Sequence, residues 1–372
     1  MQSENLARLA ASGRIPNPVD RKPSCYTCRV FGCVFGFDPP DLSDSDVAGL
    51  AIDFYELAGT RVRLRGERSH NTLFTSVDGE QFVLRVAGPT ENPSTIDLHA
   101  KVLAHLEQRA PNLPVARIRP ARNGELVVRA ELPGGEHLVQ LVTFLPGTTF
   151  ADDLVISLRG LTAVGKLLGG IAHALADFDH PAADVFMPWD LANGLILDPE
   201  LWAGLGSDAL AAAAAGRQRL EALQELLPTL PRRIIHNDGH RGNLLRYDHA
   251  SDIVTGVIDF GDLTRTVTAA DLAVAGANFV GNQADPVAAL AALAVGYHRC
   301  VPLTDLELTA LPDLVLARLA LSTLLTDYQI KHSPHIAEAV ARERVGLLDD
   351  LQRWLTIDPI AAAERIQESV SQ

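Results

Sequence analysis

Three side chains with oxygen donors follow one another at short spacings in the second half of the chain. Asp238 and Asn243 lie five residues apart in a polar loop, and Asp259 follows sixteen residues later at the end of an apolar run. Phosphoryl transfer requires a carboxylate that orients the attacking hydroxyl and accepts its proton, and oxygen ligands that hold Mg²⁺ on the nucleotide phosphates. A His-x-Asp-x-x-x-x-Asn loop, followed by a strand that ends in Asp-Phe-Gly, supplies these groups in that order.

The context of the two motifs favours this catalytic interpretation. An isolated Asp-Phe-Gly is common, and a loop with one Asp and one Asn is usually a turn. Here both motifs occur in order, each beside a strand-like apolar run. We predict that Asp238 accepts the proton of the substrate hydroxyl and that Asn243 and Asp259 are Mg²⁺ ligands. His236 is expected to brace the loop rather than to act as a base.

These motifs and several shorter segments resemble the aminoglycoside phosphotransferase and choline kinase superfamily, the small-molecule relatives of protein kinases. The finer likeness is to its hydroxylysine kinase branch. It is carried by the segments 236–238, 256–262, 143–147, 178–182 and 189–191, and the likeness as a whole extends over residues 48–350. The resemblance implies an α+β, two-lobed protein-kinase-like fold, with an antiparallel sheet in a small N-lobe and a larger, mostly helical C-lobe. It also implies a kinase that uses ATP or GTP.

The amino-acid composition limits the kinds of partner and the cellular location that we expect for this protein. The 372 residues include 46 acidic and 32 basic ones, for a net charge of −14. A nucleic-acid partner would require a basic face, so none is expected, whereas a small cationic substrate suits this charge. No apolar stretch is long enough to span a bilayer, and the first residues do not form a signal peptide. Four cysteines do not make a disulfide framework, so we expect a cytoplasmic protein.

The chain divides into an extension over residues 1–45, an N-lobe over 46–145 that binds nucleotide, and a C-lobe over 146–372. Five prolines and many small polar residues predict a flexible extension. Within it, Cys25, Cys28 and Cys33 are suggestive of a zinc site, but a structural site needs about four ligands. We therefore favour incidental cysteines in a tail.

The N-lobe is predicted to open with a helix over 43–58 and three short strands, the last two joined by a hairpin at Asp78-Gly79. By resemblance, the turn 66–71 covers the nucleotide phosphates, with Ser69 and Asn71 offering polar contacts. The end of a later strand is the hinge between the lobes. Backbone groups from Val142 to Phe144 are expected to face the purine ring.

The third strand departs from the family at one position. The family usually has a lysine here that contacts the α- and β-phosphates and pairs with a glutamate on the next helix. This chain has Arg85, which keeps the charge but is bulkier and forked. Asp97 and His99 are the candidates for the glutamate's place, and an ordinary strand-edge arginine is the alternative interpretation.

Two further residues of the motif region have open roles. Arg241 either neutralises charge on the transferring phosphoryl group or is a solvated loop residue. Asp262 either holds the ammonium of an amino alcohol or caps a helix and supports the metal site. Asp271 resembles the structural aspartate beneath the family's catalytic loop.

Three hypotheses about function follow. The first is a kinase for a hydroxyl of an amine-bearing metabolite, with a hydroxylysine-type amino acid as the first choice. The second keeps the chemistry and changes the substrate to an aminoglycoside, choline, ethanolamine or homoserine. The third is a nucleotide-binding pseudokinase without turnover, which Arg85 motivates and the presence of Asp238, Asn243 and Asp259 opposes.

Overall fold

A computed structural model of the chain describes residues 39–64, 66, 68–132, 134–151, 155–194, 205, 207–249, 251–332 and 337–372. The three cysteines of the N-terminal extension lie outside these ranges. The packed structure begins before residue 46, because Leu42 is buried against the first sheet and the Pro40 carbonyl lies 3.2 Å from His70 Nδ1. Ser43 caps the first helix, α1 (Asp44–Tyr55), and forms a capping box with Asp46.

Six strands form an antiparallel sheet in the order β1-β2-β3-β6-β4, with β5 paired to β6. Their bounds are β1 Gly59–Leu64, β2 Ser69–Ser76, β3 Gln81–Ala87, β4 Ile118–Arg119, β5 Val128–Leu132 and β6 Gly135–Thr143. The expected hairpin joins β2 to β3, where Gly79 takes the positive φ of 84° that the tight turn requires. Side chains alternate along β3, so Leu84 faces a small core while Arg85 faces the opposite side.

Helix α2 (Pro93–Arg109) lies between this sheet and the rest of the protein. Its buried side chains, such as Leu103 and Leu106, belong to the larger of the two hydrophobic cores and not to the core of the sheet. His180 Nε2 lies 2.9 Å from Asp97, and His105 Nε2 lies 3.1 Å from the Ala174 carbonyl, which fastens the helix to the larger core. Gln140 of β6 donates to the Ile96 carbonyl and ties the sheet to the same helix.

The larger core is enclosed mostly by helices. They are α3 Leu158–Ala174, α4 Ser207–Ala222, α5 Ala270–Phe279, α6 Pro286–His298, α7 Asp305–His332, α8 Ala337–Trp354 and α9 Pro359–Ser371. Helices α3 and α6 touch backbone to backbone: a Cβ on Gly165 would lie 2.0 Å from the Leu293 oxygen, and one on Gly296 would lie 2.0 Å from the Thr162 oxygen. Glycine is therefore required on both sides of this contact.

Helix α7 is long and apolar enough to cross a membrane. However, 83% of its apolar window is buried inside the protein, as in a core helix.

Two small sheets carry the motif region, where one hairpin was expected. Strands β8 (Arg232–Ile235) and β11 (Thr264–Val267) pair with each other, and β9 (Leu244–Arg246) lies between β7 (Thr148–Thr149) and β10 (Val254–Val257). The loop with Asp238 and Asn243 therefore connects β8 to β9, and Asp-Phe-Gly connects β10 to β11. The predicted α+β, two-lobed kinase-like class is confirmed.

Candidate active site

The loop between β8 and β9 brings Asp238 and Asn243 into direct contact. Asn243 Nδ2 donates to the Asp238 carboxylate over 2.6 Å and to the Asp238 carbonyl over 3.1 Å. His240 Nε2 lies 3.6 Å from the same carboxylate, and its Nδ1 accepts the Gly242 N–H. Because the Asn243 amide nitrogen is committed to Asp238, its oxygen is the atom left for a cation.

Two residues of the motif region have left-handed backbone conformations. Asn237 has a φ of 62° and Asp259 a φ of 63°, although neither is glycine. Such residues cost free energy and persist where surrounding contacts impose them, often at functional sites. After glycine, Asn and Asp tolerate this conformation best, which explains how Asn237 can stand where the superfamily commonly has glycine.

Buried groups beneath the loop hold it in place. The Asp271 carboxylate accepts the Asn237 N–H over 3.0 Å, as expected for the structural aspartate, and burial raises the pKa of Asp271 to about 7. His236 is fully buried, accepts the Asp238 N–H over 3.3 Å, and packs edge-on against Phe260 with ring centroids 4.7 Å apart. Burial lowers the pKa of His236 to about 4, so it is neutral and bracing.

Asp259 projects into the cleft, by which we mean the space that Arg68, Arg85, Asp259 and Asp262 border. It is exposed to this space while protein surrounds it on the other sides. Burial would raise the pKa of Asp259, but the Gly261 N–H bonded to it over 3.1 Å and the charges of Arg85 and Arg68 lower the pKa below its ordinary value. The carboxylate is thus charged near neutral pH and faces cations from the sheet.

Asp238 and Asp262 experience the opposite balance. Burial first, and then the charges of Asp262 and Asp259, raise the pKa of Asp238 well above its ordinary value, while Arg318 and the Asn243 hydrogen bond lower it. Burial likewise raises the pKa of Asp262. The carboxylates of Asp238, Asp259 and Asp262 act on one another and together attract cations, because each positive charge that binds relieves their mutual repulsion.

The predicted phosphate loop is shorter than expected. Strand β2 begins at Ser69, whose buried hydroxyl donates to Asn71 Oδ1 over 3.1 Å, so these two side chains bond to each other within the sheet. The prediction that Ser69 and Asn71 face phosphates from a loop is corrected accordingly. Arg68 is the loop side chain that reaches the motif region, and its Nη1 lies 3.9 Å from the Asp262 carboxylate.

Arg85 faces the cleft and has a carboxylate partner, but neither Asp97 nor His99 is that partner. Its guanidinium pairs with Glu91, which lies in the connection between β3 and α2 and also accepts the Gly88 N–H over 2.9 Å. Asp97 bonds instead to Lys101 and His180. Glu91 was not among the predicted partners because it precedes the helix on which the family pattern places the acidic residue.

The hinge prediction is also corrected in part. The Phe144 N–H donates to the Gln81 carbonyl over 2.9 Å, and Val142 is paired in the sheet with Val83 and Ile118. The Phe144 N–H and the Val142 backbone are therefore engaged within the sheet and are not available to a purine ring.

Arg241 does not join the carboxylates. Its Nε donates to the Asn278 carbonyl over 2.5 Å, and its guanidinium lies 5.4 Å from the centre of the Phe279 ring, on helix α5. These contacts do not fit a solvated loop residue, and the role of Arg241 toward the transferring group stays a prediction.

Sequence reasoning missed Arg318, on α7. It is 5% exposed, its Nη1 donates to the Trp189 carbonyl, and its guanidinium lies 5.6 Å from the centre of the Trp189 ring. The available signal was a single arginine within the apolar run of a helix, seen together with the Trp189-Asp190 motif.

The donor set suits a hard cation. Asn243 and Asp259 offer an amide oxygen and a carboxylate oxygen, and Mg²⁺ binds such oxygens together with waters and nucleotide phosphates. Within the described ranges, no group of three or more His, Cys, Asp or Glu side chains could hold a metal ion alone. A cation here would therefore depend on the nucleotide for much of its coordination.

The chain belongs to the phosphotransferase enzyme family, whose model matches residues 60–306. It is 27% identical to hydroxylysine kinase from Danio rerio over 332 residues, which cover 85% of this chain and 92% of that protein. It is 24% identical to the Mus musculus hydroxylysine kinase, over 71% of this chain and 74% of the relative. The resemblance to the superfamily and to its hydroxylysine kinase branch is confirmed.

Solved structures agree on the fold. A microcompartment-associated aminopropanol kinase matches with a TM-score of 0.66 and 21% identity, over 85% of this chain and 99% of that one. An amicoumacin kinase in complex with AMP-PNP and Ca²⁺ matches with a TM-score of 0.63 and 16% identity, over 84% and 94%. The chain is thus a small-molecule kinase that transfers a phosphoryl group from a nucleotide to a hydroxyl.

Proposed function

We propose that the chain phosphorylates a hydroxyl of an amine-bearing amino acid of the hydroxylysine type, with ATP or GTP as donor and Mg²⁺ as the metal. The single observation that carries the proposal is the proximity of Asp259 to the bonded pair Asp238 and Asn243: the Ile258 N–H, next to Asp259, donates to the Asn243 carbonyl over 2.9 Å, and the charge of Asp259 helps to raise the pKa of Asp238. The likeness to hydroxylysine kinases over most of both chains supports the choice of substrate.

Asp238 is assigned the role of base. Asn243 fixes its carboxylate through the 2.6 Å hydrogen bond, so that the free oxygen can accept the proton of a substrate hydroxyl. Because the transition state of phosphoryl transfer is loose, orientation of the hydroxyl matters more than the strength of the base. The raised pKa of Asp238 falls when cations enter the cleft, which favours the carboxylate form in the loaded enzyme.

Asn243 and Asp259 would hold the metal, which supplies positive charge that neutralises the nucleotide phosphates. On the opposite wall, Arg85 is held by Glu91 in a position to contact the phosphates. Asp262, beside the base and close to Arg68, offers a carboxylate for a substrate ammonium. The negative charge of this region favours a cationic acceptor over an anionic one.

The test is a turnover assay with purified protein, Mg²⁺ and either ATP or GTP. Nucleoside diphosphate release is followed with hydroxylysine, aminopropanol, ethanolamine, choline, homoserine and an aminoglycoside. We expect the highest kcat/KM with hydroxylysine. A higher value with another acceptor would show that this acceptor, and not hydroxylysine, is the substrate. Nucleotide binding without diphosphate release stimulated by any acceptor would indicate a pseudokinase.

A further inference from the structure

Arg318 presents a buried positive charge that the phosphotransfer machinery described above does not use. It projects from α7 and is 5% exposed. Among its nitrogens, only Nη1 has a hydrogen-bond acceptor within the described ranges, namely the Trp189 carbonyl; Nε is buried without one. The guanidinium lies 5.6 Å from the centre of the Trp189 ring, which fixes its plane.

The surrounding carboxylates act on Arg318 from a distance and already have other partners. Burial lowers the pKa of Arg318, and the charges of Asp238, Asp262 and Asp190 raise it. Asp190 accepts the Thr266 hydroxyl over 2.6 Å and the Ala192 N–H over 3.0 Å, and Asp238 accepts from Asn243. No carboxylate of a residue in the described ranges forms an ion pair with Arg318.

A buried guanidinium without a direct anionic partner is costly, because desolvation of the charge is not compensated by a close contact. A carboxylate that served as the internal counter-ion of Arg318 would accept a hydrogen bond from the guanidinium over about 2.7–2.9 Å, as in other charge-assisted pairs. The incomplete pairing of Arg318 is therefore the feature to explain, and an anionic group on a ligand would complete it. A planar carboxylate fits the fork of a guanidinium better than any other small anion found on an amine-bearing metabolite.

The position of Arg318 assigns this anion to the acceptor and not to the nucleotide. The cations that act on Asp259, a proposed metal ligand, are Arg85, His99 and Arg68, from the sheet and α2. Arg318 acts instead on Asp238 and Asp262, the base and the proposed ammonium partner. Arg68 acts on both Asp259 and Asp262, whereas Arg318 is among the groups that act on Asp238 and Asp262 and not among those that act on Asp259, so Arg318 lies nearer the acceptor end of the site.

We propose that Arg318 binds a carboxylate of the acceptor substrate, so that the enzyme selects hydroxy amino acids over amino alcohols that lack a carboxylate. The inference rests on the proposed function, which it deepens. In this arrangement Asp262 receives the ammonium next to the hydroxyl, Asp238 receives the hydroxyl, and Arg318 receives the carboxylate at the far end. The Trp189 ring holds the guanidinium for that contact.

The turnover arm of the test uses two acceptors that differ only in the carboxylate: hydroxylysine and its decarboxylated form, a diaminopentanol. The wild type is expected to prefer hydroxylysine in kcat/KM by about 100-fold, the range of a desolvated charge pair. Arg318→Met should remove most of that preference by raising the KM for hydroxylysine, with less than about a threefold change for the diaminopentanol. Equal loss of kcat for both acceptors would assign Arg318 to the transferring phosphoryl group and overturn the proposal.

The control is Arg246→Met. Arg246 is also 5% exposed, lies 5.0 Å from the centre of the Phe150 ring and bonds to the His249 carbonyl, so its loss imitates the removal of a buried arginine. It should leave the preference between the two acceptors unchanged. Arg318→Lys, which keeps the charge but lacks the fork, should restore part of the preference that Arg318→Met removes.

A binding arm separates this inference from the proposed function. Calorimetry compares L-lysine with cadaverine, which lack the hydroxyl and cannot be phosphorylated, on wild-type protein loaded with a non-hydrolysable nucleotide analogue and Mg²⁺. Tighter binding of lysine, lost in Arg318→Met, supports the carboxylate contact even if no acceptor is turned over. Equal affinity of the wild type for lysine and cadaverine overturns it even if hydroxylysine is the substrate, and this outcome is read without any variant.

Discussion

The catalytic loop and the strand that bears Arg85 face each other across one cleft, but their functional side chains are organised differently. In the loop, Asp238 and Asn243, the proposed base and a proposed metal ligand, are five residues apart in sequence and bonded to each other over 2.6 Å. On the sheet, Arg85 depends on Glu91, a residue of a connecting segment, and on a β-sheet register that places its side chain toward the cleft. Local spacing therefore fixes one wall of the site, and tertiary assembly fixes the other.

This difference teaches which part of a kinase-like site can vary. The carboxylate side is constrained by backbone conformation, because Asn237 and Asp259 both have positive φ values imposed by their surroundings. The cationic side requires only a positive charge and an anion that orients it. We infer that exchange of lysine for arginine, with a new acidic partner, is tolerated on the sheet more readily than any exchange in the loop.

The largest expected effect concerns the base. Asp238→Asn should lower kcat by about two orders of magnitude or more, since it removes the proton acceptor while the amide keeps the shape. Nucleotide affinity should stay within about threefold, because the base acts on the acceptor. Steady-state kinetics and nucleotide titration measure both quantities, and Asp53→Asn on the exposed side of α1 is the matched control. A large loss of nucleotide affinity would show that Asp238 has another role.

Asp259→Asn should affect the metal-dependent part of nucleotide binding. Loss of one carboxylate ligand should weaken nucleotide binding in the presence of Mg²⁺ by at least about tenfold, while binding in the presence of EDTA should hardly change. Fluorescence titration with and without Mg²⁺ provides the comparison. An equal loss under both conditions would argue that Asp259 shapes the cleft and does not bind the metal.

Arg85→Ala should weaken nucleotide binding by about tenfold, as for a hydrogen bond to a charged group. Arg85→Lys should recover part of this loss, and Arg159→Ala, an exposed arginine at the start of α3, should have no effect.

Glu91→Gln tests the orientation of Arg85 and should cost about threefold in nucleotide affinity. Combined with Arg85→Ala it should add nothing further, because the two residues act as one unit. Full additivity in this double-mutant cycle would mean that Glu91 does not act through Arg85.

The last prediction concerns the pH dependence of stability, a different quantity from turnover and nucleotide affinity. The pKa of His236 is about 4 in the folded protein and 6.5 in the unfolded chain. Between these values the unfolded chain binds more protons, so stability falls as the pH drops from 6.5 toward 4. His236→Asn, which keeps an acceptor for the Asp238 N–H, should remove this contribution. The stability difference between wild type and variant should shrink by about 3 kcal/mol over that range, measured by denaturant titration; a constant difference would contradict it.

The same contrast explains what the sequence could predict. Asp238, Asn243 and Asp259 could be predicted because a loop and a strand end place them by spacing alone. The partner of Arg85 could not be predicted, because the family pattern places an acidic residue on the following helix, whereas here the connecting segment supplies Glu91. The prediction for Ser69 failed because strand β2 begins at this residue, so its side chain lies in the sheet and not in a loop. The prediction for Phe144 failed in part because its N–H is bonded to the Gln81 carbonyl. Arg318 has only a weak signal in the sequence, a single arginine in an apolar helix, because its contact with Trp189 depends on how α7 packs.

Helix α2 has a consequence for regulation. In protein kinases the equivalent helix is repositioned to turn activity on and off. Here its apolar face is part of the larger core, and Asp97 and His105 secure it to the helical half of the protein. Displacing it would expose several leucines to water, at roughly 1.5–3 kcal/mol for each side chain. A displacement of α2 that left the rest of the fold intact would therefore be costly, which argues against this helix as an on–off switch of the enzyme.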